Sequence, residues 1–115
     1  MIPSISPKEL KHLIDTAPET LDLVDVRGTG EFRELRIPSA RNLPLHLLLL
    51  KIGELDVSKT IVFICRSGSC SAQATLFAER AGIKGFNLDG GMNEFENDFP
   101  EHVVREESKK LFGLF

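Results

Sequence analysis

The length and composition of the chain indicate a single folded domain of ordinary globular type. Of its 115 residues, 42% are hydrophobic and 27% are charged, which is not the composition of a disordered or fibrous chain. The net charge of −3 is the wrong sign for the broad basic surface that binds nucleic acid, so we expect no nucleic-acid partner.

The first half of the chain predicts a helix, a strand and a second short helix. Ser6 and Glu9 have the spacing of a capping box, with proline at the first helical position, so a helix is predicted up to about Asp15. Residues 21–26 then predict a strand. A short helical segment is predicted to begin at Thr29 and to carry the chain to a break at a proline.

The second half continues the alternation of helices and strands. The near-continuous apolar run 60–64 is typical of a parallel strand covered on both faces. We therefore predict an α/β fold, with a central parallel sheet and helices on both faces. The other predicted elements are a short helix at 45–52, a helix at 71–81 ended by Gly82, a strand at 85–88, and a turn at Gly90–Gly91 that leads into a helix containing Phe95.

A cysteine stands where the apolar strand 60–64 enters a loop rich in glycine and serine, just before a predicted helix. Such a loop can turn its backbone N–H groups inward, and with the helix dipole it can lower a cysteine pKa from ~8.5 to roughly 3.5–7.5. Ligands in α/β folds bind at the carboxyl ends of strands, where this cysteine falls. The candidate site consists of Cys65 as the reactive thiol and a loop of Arg66, Ser67, Gly68, Ser69, Cys70 and Ser71.

Four groups of segments follow one another over about residues 5 to 100. They are Leu23–Arg27 with Glu31–Phe32, Ile37–Ala40 with Asn42–Pro44, Cys65–Gly68 with Ser71–Ala72 and Ala74, and Gly85–Met92. In their order and spacing, these segments resemble the rhodanese-like sulfurtransferase family. The resemblance implies a single rhodanese-like domain over residues 1–115, with 101–115 as a C-terminal tail.

The resemblance implies transfer of sulfane sulfur through a persulfide on Cys65. The donor would be thiosulfate or another small anionic sulfur compound. The acceptor would be cyanide, a thiol or a sulfur-acceptor protein, and neither a cofactor nor a metal is expected. The loop amides would stabilise the thiolate and the persulfide, and Arg66 would hold the donor's oxygens unless its side chain only faces solvent.

The chain departs from the family at Cys70, where many members carry an arginine that binds the donor. Three roles for this second thiol remain open. It could attack a Cys65 persulfide and leave a disulfide, it could relay sulfur to a partner, or it could be an unreactive loop residue.

Two other classes of function remain as alternatives. A noncatalytic rhodanese-like module that binds another protein is the main one. A phosphatase or arsenate reductase is disfavoured, because those cysteine loops end in an arginine that clamps oxyanions, whereas this loop offers Cys70 and Ser71.

The remaining expectations concern the residues beneath the loop, the cellular location of the protein and its C-terminal tail. Asp25 is expected to cap loop amides, and Arg27 to pair with Glu31 or another carboxylate below the loop. Two thiols in one loop favour a reducing, cytoplasmic location, and the longest apolar window is too short for a membrane span. In the tail, the charged run 105–110 is predicted to be a solvated helical face. The apolar residues Leu111, Phe112, Leu114 and Phe115 are predicted to dock on the domain, with a second subunit as the alternative.

Overall fold

The computed structural model describes residues 2–106, and its helices and strands alternate along the chain as predicted. The elements are β1 (Ser4–Ile5), α1 (Pro7–Thr16), β2 (Leu21–Asp25), α2 (Thr29–Glu34), β3 (Leu35–Arg36), β4 (Arg41–Asn42), α3 (Leu45–Leu48), β5 (Thr60–Ile64), α4 (Ser69–Arg80), β6 (Gly85–Leu88), α5 (Gly91–Asp98) and β7 (Val104–Arg105), with short 3₁₀ turns at Pro18–Thr20, Ile52–Glu54 and Pro100–His102.

Five strands form one parallel sheet in the order β1-β6-β5-β2-β4. The central strand β5 pairs along its whole length with β2, from Thr60 opposite Leu21 to Ile64 opposite Asp25. Since all five strands run the same way, their carboxyl ends lie along one edge of the sheet. The loop that begins at Cys65 leaves the sheet at the middle of that edge.

Each face of the sheet is covered by its own hydrophobic core, which confirms the prediction of helices on both faces. Successive side chains of a strand point to opposite faces, so Val62 and Ile64 belong to one core, and Ile61, Phe63 and Cys65 to the other. The first core is completed by α1 and α5 through Leu10, Met92 and Phe95, and the second by α3 and α4 through Leu48, Ala74 and Ala78.

The start of α1 has the predicted capping box. The Ser6 hydroxyl accepts a hydrogen bond from the Glu9 backbone N–H at 3.0 Å, and the Glu9 carboxylate accepts one from the Ser6 N–H at 2.9 Å. These bonds satisfy two backbone groups at a helix start. They fix the point at which Leu10 enters the core.

Two predicted helix boundaries are wrong. Helix α3 ends at Leu48 rather than Ile52. Leu45, Leu47 and Leu48 pack against the core, whereas the next two leucines do not. Leu49 and Leu50 are 51% and 81% exposed. Helix α4 begins at Ser69, two residues earlier than predicted, because Gly68 adopts a left-handed conformation (φ +105°) that closes the loop at once.

The described part of the C-terminal tail packs against the chain near α2. The predicted helical face does not extend to Arg105, which lies in β7 and pairs with Leu35 of the antiparallel partner β3. The Glu106 N–H donates to the Glu34 carbonyl at 3.2 Å. The predicted docking of Leu111, Phe112, Leu114 and Phe115 lies outside the described residues. Within residues 2–106, no helix is both long and apolar enough to cross a membrane.

Candidate active site

Cys65 is the residue that follows β5, and its side chain is almost fully buried. It retains 4% of its exposed surface. One side of it faces the core between the sheet and α4. Its sulfur therefore occupies the floor of the loop rather than the rim, and the residues that follow curl around it.

Three hydrogen-bonding groups of the loop surround the Cys65 sulfur. The backbone N–H groups of Gly68 and Ser71 donate to Sγ at 3.1 and 3.3 Å. The Ser71 hydroxyl oxygen lies 3.2 Å from Sγ. The left-handed conformation of Gly68 turns its N–H toward the sulfur and starts α4 directly above it. The sulfur thus lies in a concavity of N–H groups at a helix N-terminus.

These donors outweigh burial in setting the ionisation of the thiol. Burial alone would raise the pKa of Cys65, because a thiolate loses hydration in the protein interior. The Ser71 hydroxyl and the N–H groups of Ser71, Gly68 and Ser67 act in the opposite direction, and the pKa of Cys65 falls below its ordinary value. The loop therefore increases the fraction of reactive thiolate near neutral pH.

The N-terminus of α5 holds the backbone of the loop from below. The carbonyl oxygens of Cys65 and Arg66 accept hydrogen bonds from the N–H groups of Met92 and Asn93 at 2.8 and 3.0 Å. With those carbonyls engaged below, the following amides are free to face the sulfur.

This support requires the glycine pair that was predicted as a turn. Gly90 and Gly91 both have positive φ, as predicted. A Cβ on Gly91 would lie 2.5 Å from the Cys65 carbonyl oxygen and 2.6 Å from the Arg66 carbonyl oxygen. The close approach of α5 to the loop was not apparent from the sequence.

Ser71 connects the Cys65 sulfur to Asn87 of β6. Ser71 is fully buried, and its hydroxyl donates to the Asn87 side-chain oxygen. Sequence reasoning included Asn87 only within a family segment and gave it no role. A polar amide in a predicted buried strand beside β5 was the signal that could have identified it.

Arg66 lies at the exposed rim of the loop and pairs with α2. Its Nη2 lies 2.8 Å from Oε2 of Glu31. This hydrogen bond outweighs partial burial and lowers the pKa of Glu31. The charge of Arg66 is therefore held at the loop entrance by α2.

Asp25 and Arg27 form a buried pair beneath the loop. The Arg27 guanidinium binds the Asp25 carboxylate through Nε at 3.0 Å and Nη2 at 2.8 Å, and it also donates to the Leu35 carbonyl. Asp25 accepts from the Arg27 N–H at 3.0 Å, which makes it a cap of one loop amide. Arg27 was expected to pair with Glu31 or with another carboxylate, and its partner in the structure is Asp25.

The other loop side chains face solvent. Ser67, Ser69 and Cys70 are exposed, and the hydroxyls of the two serines are 3.5 Å apart. Both cysteines are free thiols. Within residues 2–106, no group of three His, Cys, Asp or Glu side chains could hold a metal ion. The arrangement is an N–H-lined cradle with the buried Cys65 sulfur at its floor and an arginine at its rim.

This combination of fold and cysteine loop defines a class of protein. The family model for the rhodanese-like domain matches residues 6–98, so most of the described chain is covered. The chain belongs to the rhodanese-like domain family.

Individual relatives agree with this assignment over most of their length. YtwF of Bacillus subtilis, which is named provisionally as a sulfurtransferase, is 38% identical over 97 residues, covering 84% of this chain and 93% of its own. A protein of Allochromatium vinosum named sulfurtransferase is 35% identical over 94 residues, covering 80% and 86%. The crystal structure of SSP1007 from Staphylococcus saprophyticus is 33% identical and superposes with a TM-score of 0.76, covering 82% and 93%.

Proposed function

We propose that this protein is a sulfurtransferase that moves sulfane sulfur from thiosulfate or a persulfide donor to a thiophilic acceptor, through a persulfide on Cys65. The observation that carries the proposal is the buried Cys65 sulfur, which accepts hydrogen bonds from the N–H groups of Gly68 and Ser71. Membership in the rhodanese-like family and two relatives named as sulfurtransferases support it.

In the first step, the Cys65 thiolate attacks the outer sulfur of the donor. A new S–S bond forms at Sγ while the donor's S–S bond breaks, and sulfite leaves thiosulfate with the bonding electron pair. With a persulfide donor, a thiolate leaves instead. The lowered pKa of Cys65 favours this step, because the thiolate and not the thiol is the nucleophile.

The loop is suited to the persulfide as well as to the thiolate. The terminal sulfur lies ~2.05 Å beyond Sγ and carries the negative charge. Because Sγ is at the floor of the loop, we propose that the loop's backbone N–H groups stabilise this outer sulfur as well as the thiolate. Preorganised N–H donors stabilise such an anion without the cost of reorienting water.

In the second step, the acceptor removes the outer sulfur. A thiolate or cyanide attacks it, the Cys65 S–S bond breaks, and the thiolate of Cys65 is restored with its electron pair. Donor and acceptor exchange one sulfur atom by two-electron steps, so atoms and electrons balance without a further reactant.

Arg66 is proposed to attract the anionic donor to the loop. The side chains of Arg66 and Glu31 are 58% and 42% exposed. Ion pairs open to solvent are weak, typically about 0.2–1 kcal/mol, so an anion can compete for the guanidinium. The planar guanidinium suits the oxygens of a thiosulfate group. An arginine that only ties the loop to α2 is the alternative, and variants of both residues separate the two roles.

The exposed thiol of Cys70 keeps its three candidate roles. It could displace sulfide from the Cys65 persulfide and form a disulfide, it could receive the outer sulfur and pass it on, or it could be unreactive. Each of the first two roles needs a reduced thiol, which fits the reducing environment of the cytoplasm.

The test is the intact mass of the reduced protein after incubation with thiosulfate, and separately with glutathione persulfide. We expect a gain of one sulfur in wild type and in Cys70→Ser, and no gain in Cys65→Ser. Cys70→Ser is the matched control, because it removes the neighbouring thiol of the same loop. No gain with either donor in both wild type and Cys70→Ser would reject the proposal and favour a noncatalytic module that binds another protein.

A further inference from the structure

The Ser71 hydroxyl lies between two groups that both compete for its single hydrogen. Its oxygen is 3.2 Å from the Cys65 sulfur, and it donates to the Asn87 side-chain oxygen. A hydroxyl carries one hydrogen and two lone pairs, so it cannot donate to both groups at once. The state of one partner therefore constrains the other.

The observed orientation satisfies the thiol form of Cys65. Ser71 donates to Asn87, and the Cys65 S–H can donate to a lone pair of the Ser71 oxygen. Ser71 is fully buried and Asn87 retains 8% of its exposed surface, so water is poorly placed to replace either bond. Unpaired polar groups in such surroundings are costly.

The thiolate form needs a different orientation. Once the thiol has lost its proton, the Ser71 hydroxyl must turn its hydrogen toward the sulfur to stabilise the negative charge. The oxygen of Asn87 would then face a lone pair of Ser71. A 180° rotation of the amide replaces that oxygen with an NH₂ group, which donates to Ser71 and restores the bond.

We propose that Asn87 is a positioning residue that acts on Cys65 through the Ser71 hydroxyl, presenting its amide oxygen when Cys65 is a thiol and its amide nitrogen when Cys65 is a thiolate. Asn87 lies on β6, next to the strand that carries Cys65. The amide is neutral, so it can support both states without favouring either by charge. In the proposed cycle, Cys65 alternates between a thiolate and a persulfide, and the use of this device in catalysis rests on the proposed function.

The charged groups around the loop do not offer an alternative route to the same effect. Asp25 of β2 is paired with Arg27, and Arg66 of the loop with Glu31 of α2. On the side of β6 and α5, the nearby charged residues Lys84, Asp89 and Glu94 are all exposed.

The test is a double-mutant cycle on the pKa of Cys65, measured by the ultraviolet absorbance of the thiolate. All variants carry Cys70→Ser, so that Cys65 is the only thiol. Ser71→Ala is expected to raise the Cys65 pKa by on the order of one pH unit, since it removes one donor to the thiolate. Asn87→Ala is expected to raise it by less, because Ser71 can still donate to the thiolate but loses the amide NH₂ group that holds its hydroxyl in that orientation.

The decisive comparison is the effect of Asn87→Ala in the two backgrounds. If Asn87 acts through Ser71, its substitution shifts the pKa when Ser71 is present and has no effect in Ser71→Ala. An equal shift in both backgrounds, or no shift in either, would overturn the inference.

Two further variants keep the test interpretable. Asn87→Asp has nearly the same shape and can only accept, so it should hold the Ser71 hydrogen away from the sulfur. The rise in the Cys65 pKa caused by Asn87→Asp should be larger when Ser71 is present than in the Ser71→Ala background. Equal rises in the two backgrounds would also overturn the inference. Thr75→Val is the matched control. It removes another buried hydroxyl of α4, which donates to the Ser71 carbonyl rather than approaching the sulfur.

The outcome is separable from that of the proposed function. The thiolate titration needs no sulfur donor, whereas the proposed function is tested by loading with thiosulfate or glutathione persulfide. A protein that fails to load sulfur but shows the expected cycle would reject the proposed function and retain the role of Asn87.

Discussion

The active loop has a buried underside and an exposed rim, and each carries an arginine paired with a carboxylate. The N–O distance is 2.8 Å in both pairs. In the underside pair, the side chains of Arg27 and Asp25 are 3% and 0% exposed, whereas those of Arg66 and Glu31 at the rim are 58% and 42% exposed. Equal geometry therefore does not imply equal energy, because burial decides how strongly a charge depends on its partner.

The largest expected effect comes from breaking the buried pair. Arg27→Met should lower the free energy of unfolding by about 3–5 kcal/mol, because Asp25 is left as an unpaired charge in the interior. Urea denaturation measures this difference. The matched control is Arg66→Met, which removes the same group at the rim and should cost less than about 1 kcal/mol. Equal losses in the two variants would refute the comparison.

The second effect tests the contact between α5 and the underside of the loop. Gly91→Ala should destabilise the protein by at least about 1–2 kcal/mol, the cost of a left-handed conformation in a residue with a Cβ. The added Cβ would also push against the carbonyl oxygens of Cys65 and Arg66. The thiolate absorbance of Cys65 should then titrate at higher pH, because the loop amides no longer face the sulfur.

A glycine without such contacts provides the control for this variant. A Cβ at Gly30 of α2 would have no atom within 4 Å. Gly30→Ala should leave the Cys65 titration unchanged and should not destabilise the protein, since alanine favours a helix. A Gly91→Ala protein with unchanged stability and titration would show that α5 does not hold the loop in place.

The third effect concerns the pH dependence of Cys65. In a Cys70→Ser background, alkylation by iodoacetamide should have a midpoint below the ~8.5 of free cysteine, because the folded pKa is lowered. Unfolding in urea should return it to that value. The lowered pKa also sets the direction in which folding stability changes with pH. The thiolate stabilises the fold fully above the unfolded pKa, and this contribution is lost as the pH falls through the folded pKa. A higher midpoint in the folded protein would contradict this.

The smallest effect tests the rim pair. If Arg66 binds the anionic donor, Glu31→Gln should release the guanidinium and lower the thiosulfate concentration needed for half-maximal loading, by less than about fivefold. Arg66→Met should raise that concentration. Added salt should reduce the difference between Glu31→Gln and wild type, because exposed pairs are screened. Identical concentration dependence in all three proteins would assign Arg66 a purely local role.

Sequence reasoning succeeded where the determining interactions are local. The capping box of Ser6 and Glu9 and the apolar run of β5 both identify elements that the structure contains. Boundaries were less accurate where the surroundings decide them. Helix α3 stops where the leucine run leaves the core at Leu49 and Leu50, and α4 starts early because Gly68 closes the loop.

The candidate site divides in the same way. The loop, its cysteine and the need for small residues could be predicted from seven consecutive positions. The partners of those residues could not. Arg66 pairs with a residue 35 positions away, and Ser71 bonds to one 16 positions away, and neither spacing has a periodic signature.

By itself, the sequence determined an α/β domain with a cysteine loop at the end of a central strand, because hydrophobic periodicity, caps and turn residues act over a few neighbouring positions. Only the tertiary structure decided which groups surround the sulfur. The register of β5 against β6 brings Asn87 to Ser71, and the packing of α5 turns the loop carbonyls downward and its amides toward Cys65. Those contacts depend on how distant segments fit together, which no local pattern encodes.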